Sequence, residues 1–354
     1  MFDNHLVGQP LVKKLFIRLI QAQRVPHALL LHGPEGTGKV ACALALARAL
    51  HCEREEAGAC ESCSQCGRTM ELNHPDFSVL MPLQLRMKQD AVRLIQLDVL
   101  KDPYGYARPE ENLIIPIDSV RELQKRFAYS SFEGSWRTAV ILHADRMRAE
   151  SANAILKTLE EPPARSVLIL TAPAPGSLLP TIVSRCQGIK LAPISVDDVV
   201  KALAARKTMD DDKALFIART CGGNLRLALD MSNSDPGEAQ DRSFRFLEAL
   251  AWGEEPRTYA ALEQLASDRS AALLVIGGAE IWLRDVLVFG HGADGLVSQR
   301  TRMEDVEKLS SALNLDGIAR TLRKIEDIRE MNHRNVNMQM ALVSLWREMK
   351  RSVN

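Results

Sequence analysis

No run of roughly 18 apolar residues occurs anywhere in this chain, so no membrane-spanning helix is expected. The opening residues MFDNHLVGQP lack the basic and apolar segments of an export signal, and a cytoplasmic location is expected. Net charge is also missing. Lys+Arg and Asp+Glu each number 45, so bulk electrostatics argue against a nucleic-acid or membrane-surface binder, and any DNA contact must be local. Seven cysteines without an export signal point to a reducing compartment and to metal binding rather than disulfides. What is present is ordinary for a globular protein: 46% hydrophobic and 25% charged residues, over 354 positions that allow two or three domains.

A hydroxyl is missing where it matters most. Gly33-Pro34-Glu35-Gly36-Thr37-Gly38-Lys39-Val40 follows the phosphate-loop pattern G-x-x-x-x-G-K-[ST] up to its last position, where Val40 replaces Ser or Thr. In such a loop the backbone N–H groups cradle phosphates, the Lys reaches the terminal ones, and the hydroxyl holds Mg²⁺. Here Gly33, Gly36, Gly38 and Lys39 remain, and the magnesium ligand does not. The flanks fit a working loop. Ala28–His32 reads as a buried strand, and Ala41–Leu50 is a strong helix former. The plainer alternative is a tight strand-to-helix turn without phosphate binding.

Acids are missing at the second place where a nucleotide motor needs them. A P-loop ATPase ends another apolar strand in carboxylates that hold Mg²⁺ and orient water. The candidate strand Thr138–Leu142 is followed by His143-Ala144-Asp145, so Leu142 and His143 stand where the acids belong. Two independent losses at one ion argue against hydrolysis and against bound Mg²⁺. Whether ATP or ADP still binds is left open.

Four cysteines cluster: Cys52, Cys60, Cys63 and Cys66, the last three as C-x-x-C-x-x-C. Four thiolates suit a tetrahedral zinc ion, and with no His in the cluster and no open coordination position the site reads as structural. A redox pair or free thiols are the alternatives. Cys42, Cys186 and Cys221 stand alone and read as small buried residues.

These motifs sit in a chain that closely resembles the AAA+ subunits of the bacterial replicative clamp loader, the delta-prime family of DNA polymerase III in particular. The resemblance is carried by Leu6-Val7-Gly8-Gln9, Pro26-His27-Ala28, the cysteine module, His74-Pro75-Asp76, the stretch from Ser151 to Pro163, and Leu178 to Cys186. It implies an arginine finger at Arg185, in the Ser184-Arg185-Cys186 turn, reaching the ATP site of a neighbouring subunit. A guanidinium fixed against transferring phosphoryl oxygens stabilises the transition state. Without the resemblance, Arg185 reads as a surface residue before the strand Gly188–Leu191. The resemblance also places a polar sensor position at Thr171, after the strand Val167–Leu170, and a second sensor at Arg226, which could equally be a helix-face residue of a lid. The implied partners are the ATPase subunits (gamma/tau) and the delta subunit, with the sliding clamp and primed DNA reached through the assembly.

The expected architecture is an α/β P-loop AAA+ domain over residues 1–192, with a parallel sheet flanked by helices. It carries a zinc module at 52–66 and an insertion at about 83–113. A small helical lid at 193–236 and an all-α collar at 237–354 follow. Ser119 to Glu122 reads as a capping box opening a helix toward Tyr129. Within the insertion, where the resembling family has a short loop, Asp90–Leu100 reads as an amphipathic helix and Asp102–Pro109 as a loop, together a surface excursion. Helical spacing marks Phe246-Leu247-Leu250, Ile318-Leu322-Ile325 and Leu342-Leu345-Trp346-Met349. The expected function is a non-hydrolysing clamp-loader subunit. The rivals are an active AAA+ ATPase and a zinc-module nucleic-acid binder with a relic P-loop.

Overall fold

Short apolar runs without polar alternation favour strands buried on both faces. The computed structural model describes residues 6–54, 58–84, 87–106, 113–128, 136–206, 209–233, 236–331 and 337–353, and among them five strands form one sheet. They are β1 (Ala28–His32), β2 (Phe77–Leu80), β3 (Arg137–Ile141), β4 (Ser166–Ala172) and β5 (Gln187–Lys190). All pairings are parallel, in the order β2-β3-β4-β1-β5. Every residue of β3 and β4 is buried, whereas the edge strand β5 buries only Ile189.

Contacts divide the chain into two units, Met1–Val199 with Gly223–Arg226, and Val200–Gly222 with Leu227–Asn354. The sheet lies in the first, with α1 (Pro10–Gln21), α2 (Lys39–His51), α3 (Ser64–Met70), α4 (Gln89–Lys101), α5 (Ile117–Ala128), α6 (Ala149–Glu160) and the single turn α7 (Pro180–Val183). One sheet face presents Ala28, Leu30, Ile141, Leu168 and Leu170 to Val120, Leu123 and Phe127 of α5 and to Ile155 and Leu159 of α6. Alternate residues such as Leu29 and Leu31 point the other way. All thirteen residues of α2 are buried, and the helix packs on β1, β3 and β4. Its alanines explain the close approach, and two of its polar residues need internal partners. Arg48 donates to the Leu44 carbonyl and to Met70 Sδ. His51 Nε2 meets Thr138 Oγ1 at 2.8 Å.

Two expectations need correction. The helix expected to open at a Ser119 capping box starts at Ile117, because Pro116 places its carbonyl to accept the Val120 amide and so sets the first turn two residues earlier. Its expected end at Tyr129 lies outside the described residues. The insertion is a surface excursion over most of α4, where Leu94 is exposed, but it is anchored in the core at both ends. Val99, Leu100 and Tyr104 are buried, and Leu83 pairs with Ile114 at its base. The helix expected there is present as α4; residues 107–109 of the expected loop lie outside the described residues.

Helix α8 (Val196–Arg206) crosses the unit boundary, as does α10 (Leu225–Asn233). The second unit contains α9 (Asp211–Thr220), α11 (Pro236–Trp252), α12 (Glu255–Ser267), α13 (Arg269–Gly290), α14 (Met303–Ala312), α15 (Leu315–Met331) and α16 (Met338–Lys350). The 22-residue α13 is its centre, packing on α9, α11, α12, α14 and α15. Trp282 is fully buried against Phe244, and the Arg302 guanidinium lies over both rings. Leu247, Leu250, Ile318, Ile325, Leu342, Leu345 and Met349 are buried as their spacing predicts; Phe246, Leu322 and Trp346 pack at the margin.

Candidate nucleotide site, arginine turn and metal centre

The glycine loop joins the inner strand β1 to α2. Gly36 and Gly38 hold φ of 69° and 87°, a region that disfavours other residues. A Cβ on Gly36 would also collide with the Asn224 side chain. The Leu225 amide donates to the Gly36 carbonyl at 3.1 Å, so the stretch carrying Arg226 meets the loop. Gln9 braces the other side, its Nε2 donating to the carbonyls of Thr37 and Ala192. The Lys39 ammonium folds back on its own loop, donating to the carbonyls of Gly33 at 2.7 Å and Pro34 at 2.5 Å. The region is electropositive: partial burial first, then Lys190 and Lys39, hold the His32 imidazole below its ordinary value.

At the two positions where the sequence predicts that magnesium ligands are missing, the side chains are apolar and packed. Val40 lies in the buried first turn of α2, and Leu142 is fully buried at the end of β3. His143 follows in a left-handed conformation, φ 48°, its amide donating to Thr171 Oγ1 at 2.9 Å. Thr171 is therefore a brace for the β3 end. Asp145 lies beyond the strand, 3.9 Å from Arg146.

Arg185 is placed differently. It follows the single-turn helix α7 at the surface, with its side chain 35% exposed. Glu160 at the end of α6 meets it at 2.7 Å, and it also donates to the Thr181 carbonyl and Ser184 Oγ. A pair this exposed holds weakly and can be exchanged for another anion.

The cysteines converge. The sulfurs of Cys52, Cys60, Cys63 and Cys66 all lie within 4.8 Å of one another, with Cys60 and Cys66 at 4.0 Å. A tetrahedral site with bonds of about 2.3 Å has sulfur–sulfur edges of about 3.8 Å, so the donor set suits Zn²⁺. Cys52 caps the end of α2 and Cys63 caps the start of α3. The amides of Cys60, Cys63 and Cys66 donate to the sulfurs of Cys52, Cys60 and Cys63. The Ser62 backbone amide holds the Cys60 thiol at about 6, while burial, then Cys63, pushes Cys66 up. A divalent cation would resolve that conflict by stabilising all four thiolates. The buried guanidinium of Arg48 is within electrostatic range of Glu61 first and then of Cys66, and would offset part of the thiolate charge. Of the remaining cysteines, Cys42 and Cys221 are buried as expected, whereas Cys186 is only partly buried.

Sequence reasoning missed Asn224, Tyr104 and Arg48. Only Arg48 left a signal, as a charge inside an otherwise apolar helix.

The parallel order β2-β3-β4-β1-β5, with a glycine loop leaving an inner strand of the sheet for a buried helix, defines a P-loop fold of the AAA+ class. The chain belongs to the family described as "DNA polymerase III, delta subunit", whose model matches residues 8–195. It is 26% identical over 338 residues to DNA polymerase III subunit delta′ of Bacillus subtilis, covering 94% of this chain and 93% of that one. It is 28% identical over 332 residues to the Escherichia coli subunit delta′, covering 92% and 89%. A match to the Pseudomonas aeruginosa subunit delta′ is 35% identical over 161 residues, 45% of this chain and 41% of that one.

Proposed function

We propose that this chain is a clamp-loader subunit that no longer hydrolyses nucleotide and lends Arg185 to the ATP site of a neighbouring subunit. Its partners in this reading are the gamma/tau ATPase subunits and the delta subunit, and the assembly places a sliding clamp on primed DNA in the cytoplasm. Residues 193–236 act as a lid and 237–354 as the collar that holds the assembly. Zinc at Cys52, Cys60, Cys63 and Cys66 is structural.

One contrast carries the proposal. The chain's own site offers Val40 and Leu142 where a magnesium ion needs oxygen, whereas Arg185 stands at the surface on an exchangeable pair with Glu160. A cation so placed can serve phosphoryl transfer in a second molecule. The test is a reconstituted loader carrying Arg185→Ala. Assembly by gel filtration is expected unchanged, while clamp- and DNA-stimulated ATPase falls by a factor on the order of a thousand at the site served by the finger. Unaltered ATPase overturns the assignment. Phosphate release by the purified chain alone, abolished by Lys39→Ala, overturns the non-hydrolysing reading.

A further inference from the structure

The segment that leads from β2 through α4 reaches both halves of the site around the glycine loop and the end of β3. Tyr104 is 4% exposed, and its hydroxyl accepts the Val7 amide at 2.9 Å. Its ring lies on the glycine loop: a Cβ on Gly38 would come within 2.8 Å of the Tyr104 hydroxyl oxygen and 3.1 Å of a ring carbon. Two residues on, the Tyr106 ring meets the His143 ring edge-on, centroids 5.5 Å apart, at the strand end where catalytic acids would stand. The turn between the tyrosines is tight. Gly105 donates to the Asp102 carbonyl, and a Cβ there would collide with the Asp102 carboxylate. The tongue is anchored from below by buried Val99 and Leu100, and by Gln96 Nε2 donating to the Val79 carbonyl at 2.6 Å.

We propose that the Asp102–Tyr106 tongue occupies this chain's own nucleotide site, Tyr104 standing where a nucleotide would lie beside the glycine loop. The Tyr104 ring stands against Gly38 and its hydroxyl takes the Val7 amide, so a ligand entering beside the loop has to displace both contacts. The Lys39 ammonium, which a phosphate would draw outward, rests on the carbonyls of Gly33 and Pro34. The site is thus internally satisfied, and a nucleotide binds only when the tongue leaves. An apparent affinity falls by the fraction of molecules in the open form.

This inference rests on reading the loop as a former nucleotide site, not on the role of Arg185. The test is ADP titrated into the full chain by calorimetry, with thermal melting to confirm folding. Wild type is expected to bind about ten- to a hundredfold more weakly than Tyr104→Ala. The gain is expected to vanish in Tyr104→Ala/Lys39→Ala, which places the new binding at the glycine loop. Tyr106→Ala serves as a second opening variant if Tyr104→Ala does not fold, with a gain in the same direction. Wild type binding ADP as tightly as either folded variant, or no gain in both, overturns the tongue's role and leaves the Arg185 experiment standing.

Discussion

Cys66 is buried and its thiol is pushed up, yet three other sulfurs crowd it. Without a cation four thiols in that space have little reason to stay together. Cys66→Ser is therefore expected to reduce zinc from near one equivalent to below about a tenth and to lower the melting temperature by at least about 5 °C. Metal analysis and a thermal melt check both. His51 makes a different statement. Burial first, then His74, lowers its folded pKa to about 3. The unfolded chain then binds a proton below about pH 6.5 that the folded chain refuses. Stability from this group is full above that pH and falls as pH drops toward about 3, by about 1.4 kcal/mol per pH unit. Urea unfolding at about pH 7 and about pH 5 is expected to show the loss, and His51→Gln is expected to flatten it.

At the scale of elements, the edge strand β2 is tied to β3 by one buried ion pair. Arg137 reaches Asp76 at 3.1 Å and donates to the carbonyls of Arg126 and Phe127, which also holds the end of α5. Arg137→Ala leaves the Asp76 carboxylate buried without that guanidinium and is expected to cost about 3–5 kcal/mol by urea unfolding. Elements with strong local signals were legible in the sequence. Apolar β1, alanine-rich α2 and the spaced leucines of α16 needed no partner to be recognised. The insertion was not legible. Its helix α4 could be read from periodicity, but polar Tyr-Gly-Tyr looks like any loop until the glycine loop and His143 stand beside it. The start of α5 was misplaced for a similar reason: a side-chain pattern at Ser119 was outweighed by the backbone geometry that Pro116 imposes. Asn224 against Gly36 left no local trace, because that contact joins positions far apart in the chain.

For the whole molecule, charge balance limits what the chain can do alone. With Lys+Arg equal to Asp+Glu, no net positive charge draws the chain as a whole to DNA. The isolated chain is expected to bind duplex DNA no more tightly than about 10⁻⁴ M at physiological salt, read by fluorescence anisotropy. Tight, strongly salt-dependent binding would favour a nucleic-acid module instead. Among the described residues no helix is long and apolar enough to cross a membrane. The sequence by itself determined which groups exist: a Lys after a glycine loop, no oxygen ligand at Val40 or Leu142, four cysteines at metal spacing, and Arg185 in its turn. Those are matters of side-chain chemistry, and no folding can supply an atom the chain does not carry. Tertiary structure alone decided what each group meets, setting Lys39 on its own carbonyls, Tyr104 on Gly38 and Glu160 beside Arg185. Such meetings depend on long-range packing, where burial and backbone geometry outweigh any local pattern.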